Sequence, residues 1–279
     1  MTAVRQALAS ASRDLAEAGL VSPQAVATTL VAHVVGLPPG RLLLSPDLTT
    51  AQSRALAEAV AAVAAGQPPQ YVTGQAWFRT VCLAVGPGVF IPRPETELLA
   101  GWAIDQIGDG ADRVVELCAG SGAIAAAIVA EAAPAAVWAV EADPTALVYL
   151  RRNLASGPVH VVDADMAVAL PDLDGGVDLV VANPPYIATG QRTQLAPDVL
   201  AQPTRALFAG PDGLAAMPVV AATAWRLVRP GGLVGCEHGD GQAEAVEAIF
   251  TAAGWVDVRS QPDLTGRPRF VTARRPVVG

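Results

Sequence analysis

Lysine is absent from the 279 residues of this chain, so all 18 of its cationic side chains are arginines. A chain without lysine has no amine for Schiff-base chemistry and no P-loop lysine, which excludes both kinds of site. Histidine and cysteine are nearly as scarce, with three of each. The histidines are not paired at ligand spacing, so no bound metal is expected. An odd number of widely separated cysteines argues against a disulfide framework and for a reducing compartment.

The chain also lacks broad positive charge and long apolar runs. Its net charge is −8 and its pI is about 4.8, with no run of like charges longer than a pair. A nucleic-acid backbone selects basic surfaces, so direct binding of nucleic acid is not expected. The first 20 residues contain no apolar core of a signal peptide, and the apolar stretch from Ala123 to Ala130 is far too short for a bilayer. We expect a soluble, cytoplasmic protein that does not contact a membrane.

The first quarter of the chain has apolar residues at helical spacing and no strand-like alternation. This pattern predicts a small helical bundle, with helix starts at Ser22-Pro23 and Ser45-Pro46 and a last amphipathic helix from Thr50 to Ala65. Such a bundle could serve stability alone or could grip a macromolecular partner. The residues themselves favour neither role strongly.

A different pattern follows, in which Trp77 to Val85 and Gly88 to Ile91 resemble two short strands around a turn at Gly86-Pro87-Gly88. The prolines and acidic residues of Pro92 to Glu97 then predict a helix start, where the Thr96 hydroxyl could face a ligand carboxylate. We therefore predict a helical domain over residues 1–70, a hairpin linker over 71–94 and a second domain over 95–279.

From Asp112 onward, short apolar strands alternate with helical segments. This is the pattern of an α/β fold in which a mainly parallel sheet is covered on both faces. Ligands of such sheets bind beyond the carboxyl ends of the strands, near the point where the strand order reverses. The predicted strands are Arg113–Leu117, Val137–Val140, Val159–Val162, Val177–Val181, Leu233–Glu237, and a late pair near Val256–Arg259 and Phe270–Ala273.

Three of these strand ends suit an adenosine-containing cofactor. The turn from Cys118 to Gly122 consists of small residues, and its two glycines let a ligand approach the backbone closely. Glu141 ends the next strand, about twenty residues further on, where an acid commonly accepts hydrogen bonds from the ribose hydroxyls. Asp165 and Met166 follow the third strand and could hold an adenine amine and its face. Each feature alone also fits an ordinary turn or a solvated loop, so the prediction rests on all three together.

The fourth strand end is the tetrapeptide Asn183-Pro184-Pro185-Tyr186. Its prolines hold the backbone extended and free of a helix. The side-chain oxygen of Asn183 and the carbonyl of Pro184 can then accept both hydrogens of a planar NH2 group, while Tyr186 stacks on that group. The nitrogen lone pair would be left facing an electrophile. The tetrapeptide does not distinguish an amine of a base from one of a side chain, and no strong base is evident beside Tyr186.

Three different functions would each use some of these strand-end residues. A methyltransferase for an adenine amine in nucleic acid would apply this clamp to a flipped base, but it predicts a basic groove that the acidic chain lacks. A nicotinamide-dependent oxidoreductase would use the glycines and Glu141 and leave the tetrapeptide without a role. A non-catalytic adenosine-binding module is disfavoured because the tetrapeptide and the glycines are intact.

Further motifs give nearly the whole chain a resemblance to a known family. It resembles the HemK/PrmC family, the class I, S-adenosylmethionine-dependent N5-glutamine methyltransferases. The motifs, in chain order, are Gly66-Gln67-Pro68-Pro69-Gln70-Tyr71-Val72-Thr73-Gly74 with Trp77-Phe78, Ile91-Pro92-Arg93-Pro94-Glu95-Thr96-Glu97, Glu116 to Gly122, Asn183 to Ile187, Gln202-Pro203, Ala206-Leu207, Asp212-Gly213-Leu214, Glu237, Gly239, Gln242, Asp263-Leu264 and Gly266 to Arg269.

The resemblance implies a class I methyltransferase fold, which is Rossmann-like with a mainly parallel seven-stranded sheet. It gives residues 1–70 the role of a substrate-recognition domain and residues 95–279 that of the catalytic domain. It also implies methylation of the glutamine in the Gly-Gly-Gln motif of class 1 peptide-chain release factors. The methyl donor would be S-adenosylmethionine, converted to S-adenosylhomocysteine, without a metal. A glutamine of a ribosomal protein is the alternative substrate within the same chemistry. A monomer is expected.

Roles for single residues follow by position. The catalytic residues would be Asn183, Pro184 and Tyr186, and the substrate would be bound by these together with Pro185, Phe90 and Arg93. The donor would be bound by Thr96, Cys118, Ala119, Gly120, Ser121, Gly122, Glu141, Asp165, Met166 and Asn183. The chain departs from the family where Cys118 replaces the usual glycine, Met166 a common aromatic and Gln202 a common glutamate, and where His238 stands between Glu237 and Gly239.

Overall fold

The structure is a computed structural model that describes residues 2–277. Its contacts group these residues into two compact units, one of residues 2–75 with 196–201 and one of residues 76–195 with 202–277. Neither unit contains, within the described residues, a helix long and apolar enough to cross a membrane. The predicted division into 1–70, 71–94 and 95–279 stays a prediction.

The secondary structure alternates helices and strands after a helical beginning. The helices are α1 (Val4–Glu17), α2 (Pro23–Val35), α3 (Thr50–Ala64), α4 (Pro69–Thr73), α5 (Thr96–Gly108), α6 (Ala123–Glu131), α7 (Pro144–Asn153), α8 (Pro197–Leu200), α9 (Thr204–Leu207), α10 (Met217–Leu227) and α11 (Ala243–Ala252). The strands are β1 (Gln75–Phe78), β2 (Val81–Ala84), β3 (Arg113–Leu117), β4 (Ala136–Glu141), β5 (Val159–Asp163), β6 (Val177–Ala182), β7 (Val228–Glu237), β8 (Val256–Pro262) and β9 (Pro268–Arg274).

The helical unit packs α1, α2 and α3 around a core of its own. The helix start at Ser22-Pro23 is confirmed, because α2 begins at Pro23. The start at Ser45-Pro46 is wrong, because Ser45 ends a 3-10 helix, Pro39–Leu44. A capping box starts α3 instead: the Thr49 hydroxyl accepts from the Gln52 N–H, and the Gln52 side chain accepts from the Thr49 N–H.

The hairpin exists, but its predicted turn is wrong. β1 and β2 form a two-stranded sheet that turns at Arg79 and Thr80, and the segment Gly88 to Ile91 is not a strand. Arg79 lies in the left-handed region at φ 49°. Its backbone N–H donates to the Glu97 carboxylate at 3.0 Å, and its guanidinium pairs with Glu131 at 2.9 Å. These long-range contacts stabilise a turn that the local sequence does not indicate.

Gly86 and Gly88 are needed for close packing, not for a hairpin turn. A Cβ atom at Gly86 would overlap the hydroxyl of Tyr149 on α7. A Cβ atom at Gly88 would overlap the Thr145 side chain of the same helix. The small residues that suggested a turn therefore let the loop after β2 lie directly against α7.

The second unit is built on a seven-stranded sheet in the order β5-β4-β3-β6-β7-β9-β8. The pairs from β5 to β7 are parallel, and β9 is antiparallel to both β7 and β8. The predicted α/β fold with a mainly parallel seven-stranded sheet is thus confirmed. β3 lies between β4 and β6, so the strand order reverses at β3 and a crevice opens at its carboxyl end.

Helices cover both faces of this sheet, and neighbouring strand residues point to opposite faces. Val114 belongs to the core formed with α5, α6 and α7, whereas Val115 belongs to the core formed with α10 and α11. Strands buried on both faces are apolar at most positions. This explains why the sheet was visible in the sequence as nearly continuous apolar runs.

Gly235 of β7 lies directly against side chains of α5, so a larger residue there would disturb the packing of α5 on the sheet. An alanine Cβ there would overlap the Trp102 ring and lie 2.8 Å from Leu99 Cδ1. We expect Gly235→Ala to lower the free energy of unfolding by about 1–3 kcal/mol, the usual cost of overpacking. Urea denaturation measures it.

The matched control is Gly108→Ala at the end of α5, where an added Cβ meets nothing within 4 Å. This variant should be as stable as the parent chain or up to about 1 kcal/mol more stable, since alanine restricts the unfolded chain. Equal stability of the two variants would contradict the packing described.

Candidate active site

The four strand ends predicted to form a site meet at one edge of the sheet. The register aligns Leu117 of β3 with Val140 of β4 and with Ala182 of β6. It also aligns Ala182 with Cys236 of β7, and Glu141 with Asp163 of β5. The residues that follow these positions therefore lie side by side beyond the carboxyl ends of parallel strands, at the point where the strand order reverses.

The turn after β3 adopts a conformation that suits small residues. Cys118, Gly120 and Gly122 all lie at positive φ, at 57°, 55° and 81°. A Cβ atom on Gly122 would lie 2.7 Å from the Leu150 side chain, whereas one on Gly120 would meet nothing within 4 Å. Gly122 is thus needed for packing, and Gly120 leaves its backbone open to a ligand. Cys118 adopts the left-handed backbone although it is not a glycine.

Glu141 is oriented towards this turn. One carboxylate oxygen accepts from the Gly120 N–H at 2.8 Å, and the other accepts from the N–H groups of Ala142 and Asp143 at 2.9 and 2.8 Å. An ionised carboxylate has about four acceptor positions, so capacity for a further hydroxyl donor remains. The acceptor that a ribose requires is therefore held beside the glycine turn.

The loop after β5 places a soft side chain against the same turn. The Cys118 thiol lies 3.4 Å from the sulfur of Met166, which is half-buried. Asp165 is exposed, and its carboxylate accepts from the Ala167 N–H at 2.9 Å. A thioether beside an acid suits one face and one amine of a flat base. The structure thus brings Cys118 to Gly122, Glu141, Asp165 and Met166 to one place.

A chain of hydrogen bonds runs from the tetrapeptide to the end of β7. Asn183 Nδ2 donates to the hydroxyl oxygen of Thr96 at 3.0 Å, and that hydroxyl donates to Glu237 Oε2 at 2.6 Å. The Tyr186 hydroxyl donates to Glu237 Oε1 at 3.0 Å. The chain joins the start of α5, the loop after β6 and the end of β7. Because the NH2 group of Asn183 faces Thr96, its carbonyl oxygen faces away from Thr96 as an acceptor.

Burial governs the electrostatics of this network. Glu237 is only 1% exposed, and burial raises its pKa to about 7, although the donated hydrogen bonds of Thr96 and Tyr186 oppose the shift. Burial and the neighbouring Glu237 likewise raise the pKa of Tyr186 well above its usual value. Tyr186 is therefore a neutral hydroxyl donor at physiological pH and is not a base.

The backbone of Tyr186 is held separately. The Gln242 amide donates to the carbonyl oxygens of Tyr186 and Asp212 at 3.0 and 3.2 Å, and its own oxygen accepts from the Gly239 N–H at 2.8 Å. Gly213 lies at φ 78°, and a Cβ atom there would overlap the Tyr186 carbonyl oxygen. Motif residues that the sequence placed only in family order thus surround one carbonyl group.

The Glu237 carboxylate accepts the hydroxyl hydrogen of Tyr186, a contact that the sequence did not indicate, and with a pKa of about 7 it is a weak base. A signal for the position of Glu237 was available: Glu237 ends an apolar strand as Glu141 does, and both acids lie at the same sheet edge. Thr96 also has a different environment from the one expected. Its hydroxyl, 3% exposed, bonds to Glu237 and Asn183. Its predicted contact with the donor stays a prediction.

The predicted substrate-binding residues Phe90 and Arg93 lie in the loop between β2 and α5. The Arg93 guanidinium lies over the Phe90 ring at 5.2 Å, and both side chains are half-buried. The Ile91 N–H between them donates to the buried Gln202 side-chain oxygen at 3.1 Å. A glutamate could accept this bond equally well, so glutamine at position 202 preserves the contact. Pro184 is buried and Pro185 is half-buried.

The chain is similar to known proteins in both of its units. The family model of the PrmC N-terminal domain matches residues 6–74, and that of the methyltransferase small domain matches residues 96–220. The release factor glutamine methyltransferase of Streptomyces coelicolor is 45% identical, with 96% of each chain covered. That of Mycolicibacterium smegmatis is also 45% identical, with 99% of each chain covered.

The chain belongs to the family of release factor glutamine methyltransferases. The predicted resemblance is thereby confirmed, and the chain is a methyltransferase. A relative with a different printed substrate is the 4-amino-L-phenylalanine/4-methylamino-L-phenylalanine methyltransferase of Streptomyces pristinaespiralis, which is 37% identical and covers 92% of this chain and 90% of its own.

Solved structures share the fold of this chain. The hMettl16 catalytic domain, solved with the MAT2A 3′UTR hairpin 6, has a TM-score of 0.57 and 15% identity, with 84% of each chain covered. A methyltransferase from Pyrococcus furiosus has a TM-score of 0.51 and 15% identity, covering 70% of this chain and 89% of its own. At such low identity these likenesses concern the fold alone. Among residues 2–277, no group of three or more metal-ligating side chains is found.

A second buried acid, Glu116 of β3, gives the stability of the protein a pH dependence. It is 2% exposed and accepts from the Ala125 N–H, and burial raises its pKa to about 8 from an ordinary 4.5. Between these values the unfolded chain releases a proton that the folded chain keeps. The free energy of unfolding should therefore fall with rising pH, by up to about 1.4 kcal/mol per pH unit from this group.

Glu116→Gln should make this decline shallower between pH 5 and 8, because the amide stays neutral. Urea denaturation at several pH values measures the slope, part of which remains through Glu237. Glu58→Gln is the matched control, since Glu58 is exposed beside Arg54 and should leave the slope unchanged. An unaltered slope in Glu116→Gln would show that Glu116 does not keep its proton.

Proposed function

We propose that this chain transfers a methyl group from S-adenosylmethionine to the side-chain amide nitrogen of the glutamine in the Gly-Gly-Gln motif of class 1 peptide-chain release factors. The observation that carries the proposal is the orientation of Asn183. Its NH2 group is committed to Thr96, so its oxygen is left to accept from a substrate NH2 group. The Pro184 carbonyl would accept the second hydrogen, with Tyr186 stacked on the flat amide.

The strand ends support S-adenosylmethionine as the methyl donor. Glu141 offers acceptor positions for the ribose, Gly120 an open backbone, and Asp165 and Met166 an acid and a soft apolar side chain for the adenine. The residues present therefore fit this group, with Cys118, Ala119, Ser121 and Gly122 completing the turn. When bound, the donor supplies an electrophilic methyl group on a sulfonium.

The residues of the chain would promote transfer chiefly by orientation. An amide nitrogen is a weak nucleophile because its lone pair is delocalised into the carbonyl group. Asn183 and Pro184 would hold both N–H bonds so that the lone pair points at the methyl carbon. Approximation of this kind can contribute about 7–11 kcal/mol in ideal cases. Transfer would require the nitrogen to lose one amide proton, to water or through a carbonyl contact, while Asn183 and Pro184 keep the amide in place.

The choice of a release-factor glutamine is supported by relatives named for that substrate, which are up to 45% identical over nearly the full length of the chain. An aryl amine is also planar, and one relative is named for 4-amino-L-phenylalanine, but its identity is lower, at 37%. An adenine amine in nucleic acid is disfavoured by the net charge of −8.

Further parts of the proposal concern partners and location. The helical unit, matched by the PrmC N-terminal domain model, would recognise the release factor. The protein would act as a monomer in the cytoplasm, where translation ends, without contacting nucleic acid or membrane directly. Phe90 and Arg93 would contact the substrate from the loop before α5.

Incubation with labelled methyl donor and purified release factor tests this function. We expect label in the wild-type factor and none in a variant whose Gly-Gly-Gln glutamine is replaced by alanine. Free 4-amino-L-phenylalanine is the control substrate and should stay unlabelled. Equal labelling of both release factors, or labelling of the aryl amine alone, would reject the proposed substrate.

Asn183→Ala should lower turnover by about 100- to 1,000-fold, comparable to removal of one transition-state hydrogen bond. Donor affinity, measured by calorimetry, should change by less than about threefold, since Glu141 and the glycine turn stay in place. Gln191→Ala is the control, because it removes an exposed amide shortly after the tetrapeptide. Wild-type turnover in Asn183→Ala would remove Asn183 from the mechanism.

A further inference from the structure

The hydrogen-bond chain Asn183–Thr96–Glu237 has a direction as well as a geometry. A threonine hydroxyl has one hydrogen to donate and can accept through its oxygen. The Thr96 oxygen lies 2.6 Å from Glu237 Oε2, a short distance typical of a hydroxyl donating to a carboxylate. With its single hydrogen used in this way, Thr96 can only accept from Asn183.

This direction decides which end of the Asn183 amide faces the substrate. An amide turned by 180° about its last torsion would place its oxygen 3.0 Å from the Thr96 oxygen, so that two acceptors would face each other. It would also present its NH2 group to the NH2 group of the substrate, so that two donors would meet there. Both ends of the turned amide would lose a hydrogen bond, and the loss is costly at the buried Thr96, where an unsatisfied polar group has no water to replace its partner.

We propose that Thr96 and Glu237 are positioning residues whose hydrogen bonds fix the orientation of the Asn183 amide, so that the Glu237 carboxylate makes Asn183 an acceptor towards the substrate amine. The proposal rests on the proposed function, since the NH2 group that Asn183 would accept from is that of the substrate glutamine. Glu237 does not touch the reacting atoms. It acts on Asn183 through Thr96, and on Tyr186 through the second carboxylate oxygen.

Protonation of Glu237 would reverse the direction of hydrogen donation between Glu237, Thr96 and Asn183. A neutral carboxyl group can donate to the Thr96 oxygen, the Thr96 hydroxyl can then donate to Asn183, and the turned amide becomes the favoured one. The pKa of Glu237 is about 7 through its burial, so the reversal falls in an accessible pH range. The groups that face the carboxyl are Thr96 and Glu95 at the start of α5, Tyr186 after β6, Arg269 on β9 and the Cys236 thiol on its own strand.

Nuclear magnetic resonance can detect this reversal without any substrate. The chain has two asparagines, Asn153 and Asn183, so asparagine-selective 15N labelling gives two side-chain NH2 signals. Asn153 donates to the carbonyl oxygens of Ala84 and Ser121 and serves as the internal control. We expect the Asn183 signal to shift with a midpoint near pH 7 and the Asn153 signal to stay constant. Glu237→Gln should abolish the shift, because its side chain does not titrate.

Steady-state kinetics of matched variants test whether Thr96 and Glu237 orient the Asn183 amide. Thr96→Val keeps the shape of the side chain and removes its hydrogen bonds, and kcat should fall by about 100-fold, the order of loss caused by misplacing a reacting group. Thr96→Ser keeps the hydroxyl and should stay within about threefold of wild type. The KM for release factor should change little in either variant. In wild type, kcat should fall as the pH drops below about 7, and this limb should be missing in Glu237→Gln.

The outcomes separate this proposal from the proposed function. Wild-type kcat in Thr96→Val, or an Asn183 signal that does not change between pH 6 and 8, would overturn the positioning role. A wild-type enzyme that leaves release factor unlabelled would reject the substrate, and the NMR titration would still decide the orientation of Asn183. Thermal unfolding of each variant checks the fold. If Thr96→Val does not fold, the pH profile and the NMR signal of the nearly isosteric Glu237→Gln decide.

Discussion

A carboxylate withdrawn from water is stable only where the protein supplies donors in place of the lost hydration, and this constraint organises the catalytic unit around Glu237. Two hydroxyls meet the need, from Thr96 at the start of α5 and from Tyr186 after β6. Each hydroxyl has a second connection at the same sheet edge. Thr96 also accepts from Asn183, and Tyr186 belongs to the tetrapeptide Asn183-Pro184-Pro185-Tyr186. Satisfying one buried charge therefore fixes the relative positions of a helix start, a loop and a strand end.

Most of the catalytic unit could be predicted from the sequence because its constraints are local. A strand buried on both faces is apolar at most positions, so β3 and β6 were visible as short, nearly continuous apolar runs. A parallel sheet collects its strand ends at one edge, so the order of strands predicts that the glycine turn, Glu141 and the tetrapeptide lie together. Their roles towards substrate and donor remain predictions.

The rest depends on contacts between residues far apart in the chain. The turn of the hairpin is held by Glu97 and Glu131, and nothing near Arg79 in the sequence indicates either partner. Gly86 and Gly88 do lie at a turn, but this turn packs the loop after β2 against α7 and does not join two strands. Only the position of α7 distinguishes it from a hairpin turn. The bond from Thr96 to Glu237 links residues 141 positions apart. Local patterns carry no information about such a pair.

The proposed Asn183 clamp would respond to the hydrogen-bond polarity and the flatness of an NH2 group, and to little else in the molecule that carries this group. A relative named for an aryl amine and relatives named for a release-factor glutamine are both similar to this chain over most of its length. The residues that would promote methyl transfer can therefore differ from those that would select the substrate. The sheet edge can stay unchanged while the surfaces that deliver the amine diverge, so new substrates can arise without rebuilding the reaction centre.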